Sequence, residues 1–247
     1  MVEIILKNVS LDYPVLGHNP KFSKRVLSLA SAGRISSGTK KQYVRSIDKL
    51  NLHLKPGDKL AVIGGNGAGK TSLLKLIAGI YDQSSGEKSV VGRVTTILGT
   101  GFGLDEEATG YQNIFLGGIA LGYSYKEMEA CFKDIEEFTD LGDFLNLPLR
   151  VFSAGMKARL AFAIATCKHP DILIIDEGVG TGDKAFLERA EMRLTEFLSK
   201  ANILLMASHS NDLLRKFCNK CLLMNNGKAV YFGDLEKGIE LYEEQAK

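Results

Sequence analysis

The chain has 247 residues, 45% of them apolar and 24% charged, with a formal net charge of +2. That length buries a full core as one large domain or a domain with an insert, and the composition is that of a soluble globular protein. A near-neutral balance gives no protein-wide basic field, so no nucleic-acid partner is expected, and no apolar run approaches the ~18 to 20 residues of a transmembrane helix.

The opening "MVEIILKNV" lacks the basic start and small-residue cleavage site of a signal peptide. The expectation is a cytoplasmic protein whose membrane role, if any, comes through a partner. "EIILKNVSLDY" reads as a strand. Residues 13–47 follow with seven Lys or Arg (Lys21, Lys24, Arg25, Arg34, Lys40, Lys41, Arg45) and no acid, around the short apolar run "RVLSLASA". They read as a solvated basic loop, or as a small helix near a membrane face or a partner. "KLNLHLKPGDKLAVIGG" is a strand, a Pro-Gly turn and a second, more buried strand. "KTSLLKLIAGI" has helical periodicity and stops at a glycine. "VVGRVTTIL", residues 90–98, reads as one strand. From about 110 to 168 the pattern turns helical. "PDILIIDE" and "ANILLMASHS" are buried strands, and "CLLMNNGKAVYFGD" is a hairpin with an Asn-Gly turn. Buried strands alternating with helices give an α/β fold with a largely parallel sheet, an antiparallel β portion and an inserted helical subdomain. A single domain over 1–247 is expected, its core at about 1–98 and 169–247, the helical subdomain at about 99–168 and the basic insert at about 15–46.

Four cysteines occur: Cys131, Cys167, Cys218 and Cys221. The last two make a C-x-x-C, but zinc needs about four ligands and no second Cys or His pair is near in sequence. They read as a helix end and the start of an apolar strand in a reduced compartment.

"GGNGAGKT", residues 64–71, matches G-x-x-x-x-G-K-[ST] between a strand and a helix, the setting a phosphate loop requires. Its glycines let successive backbone N–H groups close around phosphate oxygens, and the helix start adds partial positive charge. Gly64, Gly65, Asn66, Gly67, Ala68, Gly69, Lys70, Thr71 and Ser72 are the candidate nucleotide-binding residues. Lys70 reaches the β- and γ-phosphates of ATP, and the Thr71 hydroxyl ligates Mg²⁺. "ILIIDE" delivers Asp176 to a strand end, where its carboxylate joins the Mg²⁺ shell. Glu177, one residue on, is placed to take a proton from the attacking water. Alone this would be an acidic strand end; beside a phosphate loop it is a catalytic pair. "ASHS" puts His209 at the same edge of the sheet, where such sheets bind ligands, and makes it a third catalytic candidate.

"VFSAGMKARLAFAIA", residues 151–165, is a serine-capped helix start with no acid, cysteine or histidine. The free N–H groups behind Ser153 form a second anion site. Within one molecule it duplicates the phosphate loop. The duplication disappears if Ser153, Ala154, Gly155 and Met156 face the nucleotide held by another copy, which predicts a homodimer joined through ATP.

Over nearly its whole length the chain resembles the nucleotide-binding domain of an ATP-binding cassette transporter, which implies that the α/β core is a P-loop NTPase (RecA-like) core. "FSAGM" stands where that family carries its signature, usually L-S-G-G-Q; Ala154 and Met156 depart from it. The resemblance implies that Asp183, closing "VGTGD", is the D-loop residue and that Tyr13 stacks on adenine. The glutamine expected near position 100 is absent, and "ILGTGFGLDEEATGYQNI" stands there instead. That stretch, the signature variant and the basic insert look like one branch, the ATPase subunits of O-antigen, capsule and teichoic-acid exporters. The chain stops at "ELYEEQAK", so it resembles the branch members without a carbohydrate-binding domain. The resemblance implies a motor hydrolysing ATP with Mg²⁺ at the cytoplasmic face of the inner membrane, docked on a separate integral membrane subunit. The alternatives are another transport substrate, a soluble cassette ATPase of translation or DNA repair, and a P-loop kinase. The last leaves "FSAGM" and "ASHS" without a role.

Overall fold

The computed structural model describes residues 1–14, 35–37, 42–97, 103–176, 184–208 and 210–245. Most of the basic segment, including "RVLSLASA", lies outside the described residues. The chain divides into two compact units: Met1–Gly92 with Leu205–Lys247, and Arg93–Leu204.

The first unit opens with strand β1, Glu3–Pro14, which pairs antiparallel with β3, Gln42–Leu54, and with β5, Ser85–Val91. The short β2, Ile35–Ser37, completes a sheet of order β2-β3-β1-β5. In β1 the buried side chains switch phase, from Ile4 and Leu6 to Val9 and Leu11. Strand side chains alternate with period two, so the switch requires an extra residue. The register slips between Leu6 and Val9. β3 makes the matching switch, from Ile47 to Leu50, Leu52 and Leu54. Asn8 and Lys49 absorb the two bulges at φ of 49° and 50°. Asn51 secures them by accepting from the Asn8 N–H at 2.9 Å. The paired bulges keep one face of the sheet apolar and carry β1 on to Tyr13, opposite Val44.

The predicted Pro-Gly turn follows β3. Gly57 takes φ 94°, and the Asp58 N–H donates to the Lys55 carbonyl at 3.0 Å. Strand β4, Lys59–Ile63, then runs parallel to β9, Lys220–Asn225, with Leu60 opposite Lys220 and Ile63 opposite Leu223. Leu60 to Ile63 are all buried, as a parallel strand covered on both faces must be. β10, Lys228–Asp234, returns antiparallel beside β9, and residues 205–207 of β8, Ile203–Ala207, stand next to β4. Helix α1, Lys70–Ile77, leaves β4 through the phosphate loop. Two more helices, here α6 (Asn211–Phe217) and α7 (Leu235–Gln245), flank β9 and β10 in sequence. Cys218 ends α6 and Cys221 lies in β9; both are free thiols. Burial pushes each up to about 12, so both stay protonated.

The second unit starts where "VVGRVTTIL" was expected to be one strand. It is two. β5 ends at Val91, Gly92 turns the chain at φ 122°, and β6, Val94–Ile97, pairs parallel with β7, Ile172–Asp176. The break was hidden because the residues on both sides of it are β-branched (Val90 and Val91, then Val94, Thr95, Thr96 and Ile97) and suit a strand equally; the glycine between them was the punctuation. The helical block is as expected: α2 (Gly110–Ala120), α3 (Tyr125–Thr139), two 3₁₀ turns (Gly142–Asn146 and Leu149–Val151) and α4 (Ala154–Thr166), with α5 (Lys184–Lys200) after β7. Capping boxes start α2 (Thr109 with Gln112) and α3 (Ser124 with Glu127). Ile114, Met128, Ile135, Leu145, Leu160 and Ile164 form its core. Gly118 permits the closest approach: a Cβ there would lie 2.3 Å from Met128.

At the entry to this unit, Arg93 and Lys168 stand over the Tyr123 ring at 5.0 and 5.9 Å. Both donate to Glu127 Oε1, at 2.7 and 2.8 Å. Arg93 first, then Lys168 and the Ser124 cap, hold the Glu127 carboxyl well below the usual carboxylate range.

Candidate functional site

The phosphate loop is built entirely within the first unit. β4 ends buried at Ile63, and the chain turns at Gly64 with φ 148°. A Cβ on Gly64 would sit 2.2 Å from the Met224 carbonyl oxygen of β9. At the far end Gly69, φ 107°, is the N-cap of α1, and a Cβ there would lie 2.5 Å from the Ser46 carbonyl oxygen of β3. Only glycine fits either wall. Gly65, Asn66 and Gly67 between them are exposed. The Ala68 N–H donates inward to the Gly65 carbonyl at 3.1 Å, closing the loop on itself.

α1 has no side-chain cap and no acid in its first turn. Helix geometry leaves its first N–H groups without intrahelical acceptors, and no acid of its own first turn competes for them. Lys70 Nζ donates to the Gly64 and Gly65 carbonyls at 2.7 and 3.2 Å, which keeps the ammonium within the loop. Thr71 is exposed, its hydroxyl free to meet a hard cation. The fit to an anionic polyphosphate is therefore one of geometry and charge together.

A support that the sequence reading missed lies 159 residues beyond Ala68, at Gly227. The tip of the β9–β10 hairpin, Asn226 at φ 51° and Gly227 at φ 77°, is the expected Asn-Gly turn. Its Gly227 N–H donates to the Ala68 carbonyl at 2.8 Å, and its carbonyl accepts from the Asp48 N–H at 2.8 Å. The turn was legible; its docking on the phosphate loop was not.

Tyr13, half-buried at the end of β1, reaches the same loop. Its hydroxyl donates to Ser72 Oγ of α1 at 3.2 Å. Burial raises the phenol above its ordinary value, so it stays protonated and able to donate. Tyr13, Ser72 and residues 64–71 are thus one cluster.

In the second unit Ser153 caps α4 as expected, its Oγ accepting from the Met156 N–H at 3.2 Å. Ser153 and Ala154 are exposed and Gly155 is half-buried. The nearest atom to a Cβ placed on Gly155 is Ser153 Oγ at 3.8 Å, an ordinary contact. Met156 points inward and packs on the helical core. The loop ahead of α2 is pinned against this helix start. Lys157 bonds Glu106 at 2.7 Å, Arg150 pairs with Glu107, and the Arg150 N–H donates to the Glu106 carbonyl at 2.9 Å. Asn113, fully buried, sets the loop's shape: its Nδ2 donates to the carbonyls of Asp105, Ala108 and Thr109, and its Oδ1 accepts from the Asp105 N–H at 2.7 Å. Asp176 ends β7, half-buried, where the sequence placed it. Glu177, Asp183 and His209 lie outside the described residues, as do residues 98–102, where the expected glutamine is missing.

Residues 47–180 match the model of the ABC transporter family. The chain is 41% identical to the O-antigen export system ATP-binding protein RfbE of Yersinia enterocolitica, over 92% of this chain and 96% of that one. The chain belongs to the ABC transporter family. It is an ATP-binding cassette, and ATP hydrolysis is the reaction class of that family. The cassette is also 34% identical to the O-antigen export protein RfbB of Klebsiella pneumoniae, over 98% of this chain and 97% of that one. To the teichoic acids export protein TagH of Shouchella clausii it is 35% identical, over 81% of this chain but only 55% of that longer one. A solved ATP-binding subunit of an ABC transporter shares the cassette fold at a TM-score of 0.70 and 22% identity, with full coverage of both chains. A dimeric ATP-binding cassette with ADP and Pi bound shares it at 0.64 and 18% identity, over 94% of this chain. Among the described residues of the cassette, no helix is long and apolar enough to cross a membrane.

Proposed function

We propose that this cassette works as a homodimer whose ATP hydrolysis drives a separate integral membrane subunit, moving a lipid-linked polysaccharide of the O-antigen, capsule or teichoic-acid type across the membrane. The observation that carries the reading is end-to-end likeness to O-antigen export cassettes, over 92% and 98% of this chain. The place of action is the cytoplasmic face of the inner membrane, reached through the membrane subunit.

Lys70 and the N–H groups at the start of α1 bind the phosphates, and Tyr13 carries the adenine. Thr71 and Asp176 offer a hydroxyl and a carboxylate, hard oxygen donors that suit Mg²⁺. Mg²⁺ bound there would neutralise charge on the β- and γ-phosphate oxygens. Glu177 takes the proton of the attacking water, His209 is a further catalytic residue, and Asp183 serves as the D-loop residue. Ser153, Ala154 and Gly155 close the site of the second copy. Once Ser153 Oγ has accepted from Met156, its hydroxyl hydrogen remains to donate to a γ-phosphate oxygen. Among the described residues nothing blocks a side chain at Gly155, which supports a constraint from outside the chain.

Mixing two inactive variants tests this arrangement. Lys70→Ala keeps its helix α4 start, and Ser153→Arg keeps its phosphate loop. In the mixed dimer one composite site carries both defects and the other neither, so part of the ATPase activity should return. Activity that stays at the level of the separate variants, in a mixture shown to form mixed dimers, would remove Ser153 from the partner's site.

A further inference from the structure

A second aromatic ring stands against Tyr13. Tyr81 meets it edge-on, with ring centroids 5.3 Å apart and planes at 83°, the edge-to-face arrangement that ring quadrupoles favour. Tyr81 is not in the phosphate loop. It lies just past the end of α1, where the helix closes with Gly79 at φ 76° and the Ile80 N–H reaches back to the Lys75 carbonyl at 2.9 Å.

Several groups from three strands and the helix converge to hold this corner. Lys75 of α1 stands 5.8 Å over the Tyr81 ring. Lys88 of β5 donates to the Tyr81 carbonyl at 3.3 Å and to the Leu76 carbonyl at the helix end at 3.1 Å. Ser84 clasps β1 in both directions: its N–H donates to the Ser10 carbonyl at 2.8 Å, and its Oγ accepts from the Asp12 N–H at 2.9 Å. Asp12 is in turn held by a two-pronged pair with Arg45 of β3, at 2.8 and 3.0 Å. The Tyr13 ring is therefore fixed by its hydroxyl on Ser72, near the start of α1, and by its edge contact with Tyr81, just beyond the end of α1. A stacking platform gains affinity when it is ordered before the ligand arrives, because ordering then costs nothing on binding.

We propose that Tyr81 is a positioning residue for the nucleotide base: it fixes the Tyr13 ring in register with the helix that holds the phosphates. This rests on the reading of Tyr13 as the adenine platform. Tyr81 touches Tyr13, so its effect falls on the base end of the ligand and leaves the phosphate end alone.

The test measures affinity of the full chain for two probes, ATP and inorganic triphosphate, the second having phosphates but no base. Tyr81→Ala and Tyr81→Leu should each weaken ATP about three- to tenfold, the range of one aromatic pair, and leave triphosphate unchanged. Tyr81→Phe, which keeps the ring edge, should bind both probes like the parent, and kcat at saturating ATP should not move. Equal weakening of ATP and triphosphate would mean that Tyr81 merely supports α1, and the proposal falls. It falls too if neither variant weakens ATP while Tyr13→Ala does. If Tyr13→Ala itself fails to separate the two probes, the platform reading is wrong and the proposal goes with it.

Discussion

Two helix starts in this cassette are proposed to meet phosphate, and they are built differently. At the phosphate loop the glycines are locked in place by the chain itself: Gly64 faces the Met224 carbonyl and Gly69 the Ser46 carbonyl, at distances no Cβ tolerates. At the start of α4 the glycine is not locked. Gly155 has room around it, and its neighbours Ser153 and Ala154 are exposed. A glycine held by its own walls serves the fold and the ligand together. A glycine with no wall among the described residues leaves room for a group from outside the chain. On the proposed function, the first region is one half-site and the second is the half that a partner copy needs.

Substitution should separate the two. The largest effect is expected from Gly64→Ala, whose methyl would meet the Met224 carbonyl 2.2 Å away at a φ that side chains rarely adopt. The loop must shift, so ATP affinity should drop more than about tenfold and the melting temperature with it. Gly155→Val should leave the unfolding free energy within about 1 kcal/mol of the parent and ATP binding intact, yet lower steady-state hydrolysis severalfold. Normal hydrolysis by Gly155→Val would break the comparison.

The support of each region differs as well. Removing Asn113 takes four hydrogen bonds from the loop that carries Asp105 to Thr109 and leaves buried polar groups without partners. Asn113→Ala should cost about 1–3 kcal/mol in denaturant unfolding, and hydrolysis should fall further than ATP binding because the loop leans on α4. Equal loss of both would place the damage in the fold at large.

The smallest effect is a pH signature in the second unit. Glu127 is held below its unfolded value by Arg93 and Lys168, so its contribution is full above the ordinary carboxylate pKa and fades as pH falls through the lowered one. Glu127→Gln should therefore melt lower than the parent at neutral pH, with the gap narrowing as the solution is acidified below pH ~4. A gap constant with pH would point to packing and away from charge.

Much of this was open to reading along the chain, because the deciding interactions are local. The phosphate loop is a run of eight residues whose glycine spacing, lysine and flanking strand and helix all fall within one window. The Ser153 cap, the capping boxes and the Asn-Gly turn are likewise settled within about four residues, the reach of a side chain to a nearby backbone N–H. Where two elements met in one stretch, as in "VVGRVTTIL", composition could not tell one strand from two, since both halves are β-branched and suit a strand equally. What tertiary structure alone decided are the walls and props. Met224 against Gly64, Ser46 against Gly69, Gly227 on Ala68, Tyr81 on Tyr13 and Asn113 under its loop are backbone or ring contacts, most of them between residues far apart in the chain. No residue type announces them, because a carbonyl oxygen belongs to every residue and its direction is set only when the sheet is assembled. The amino-acid sequence thus named the groups proposed for the chemistry, and the folded chain determined how firmly those within the described residues are held.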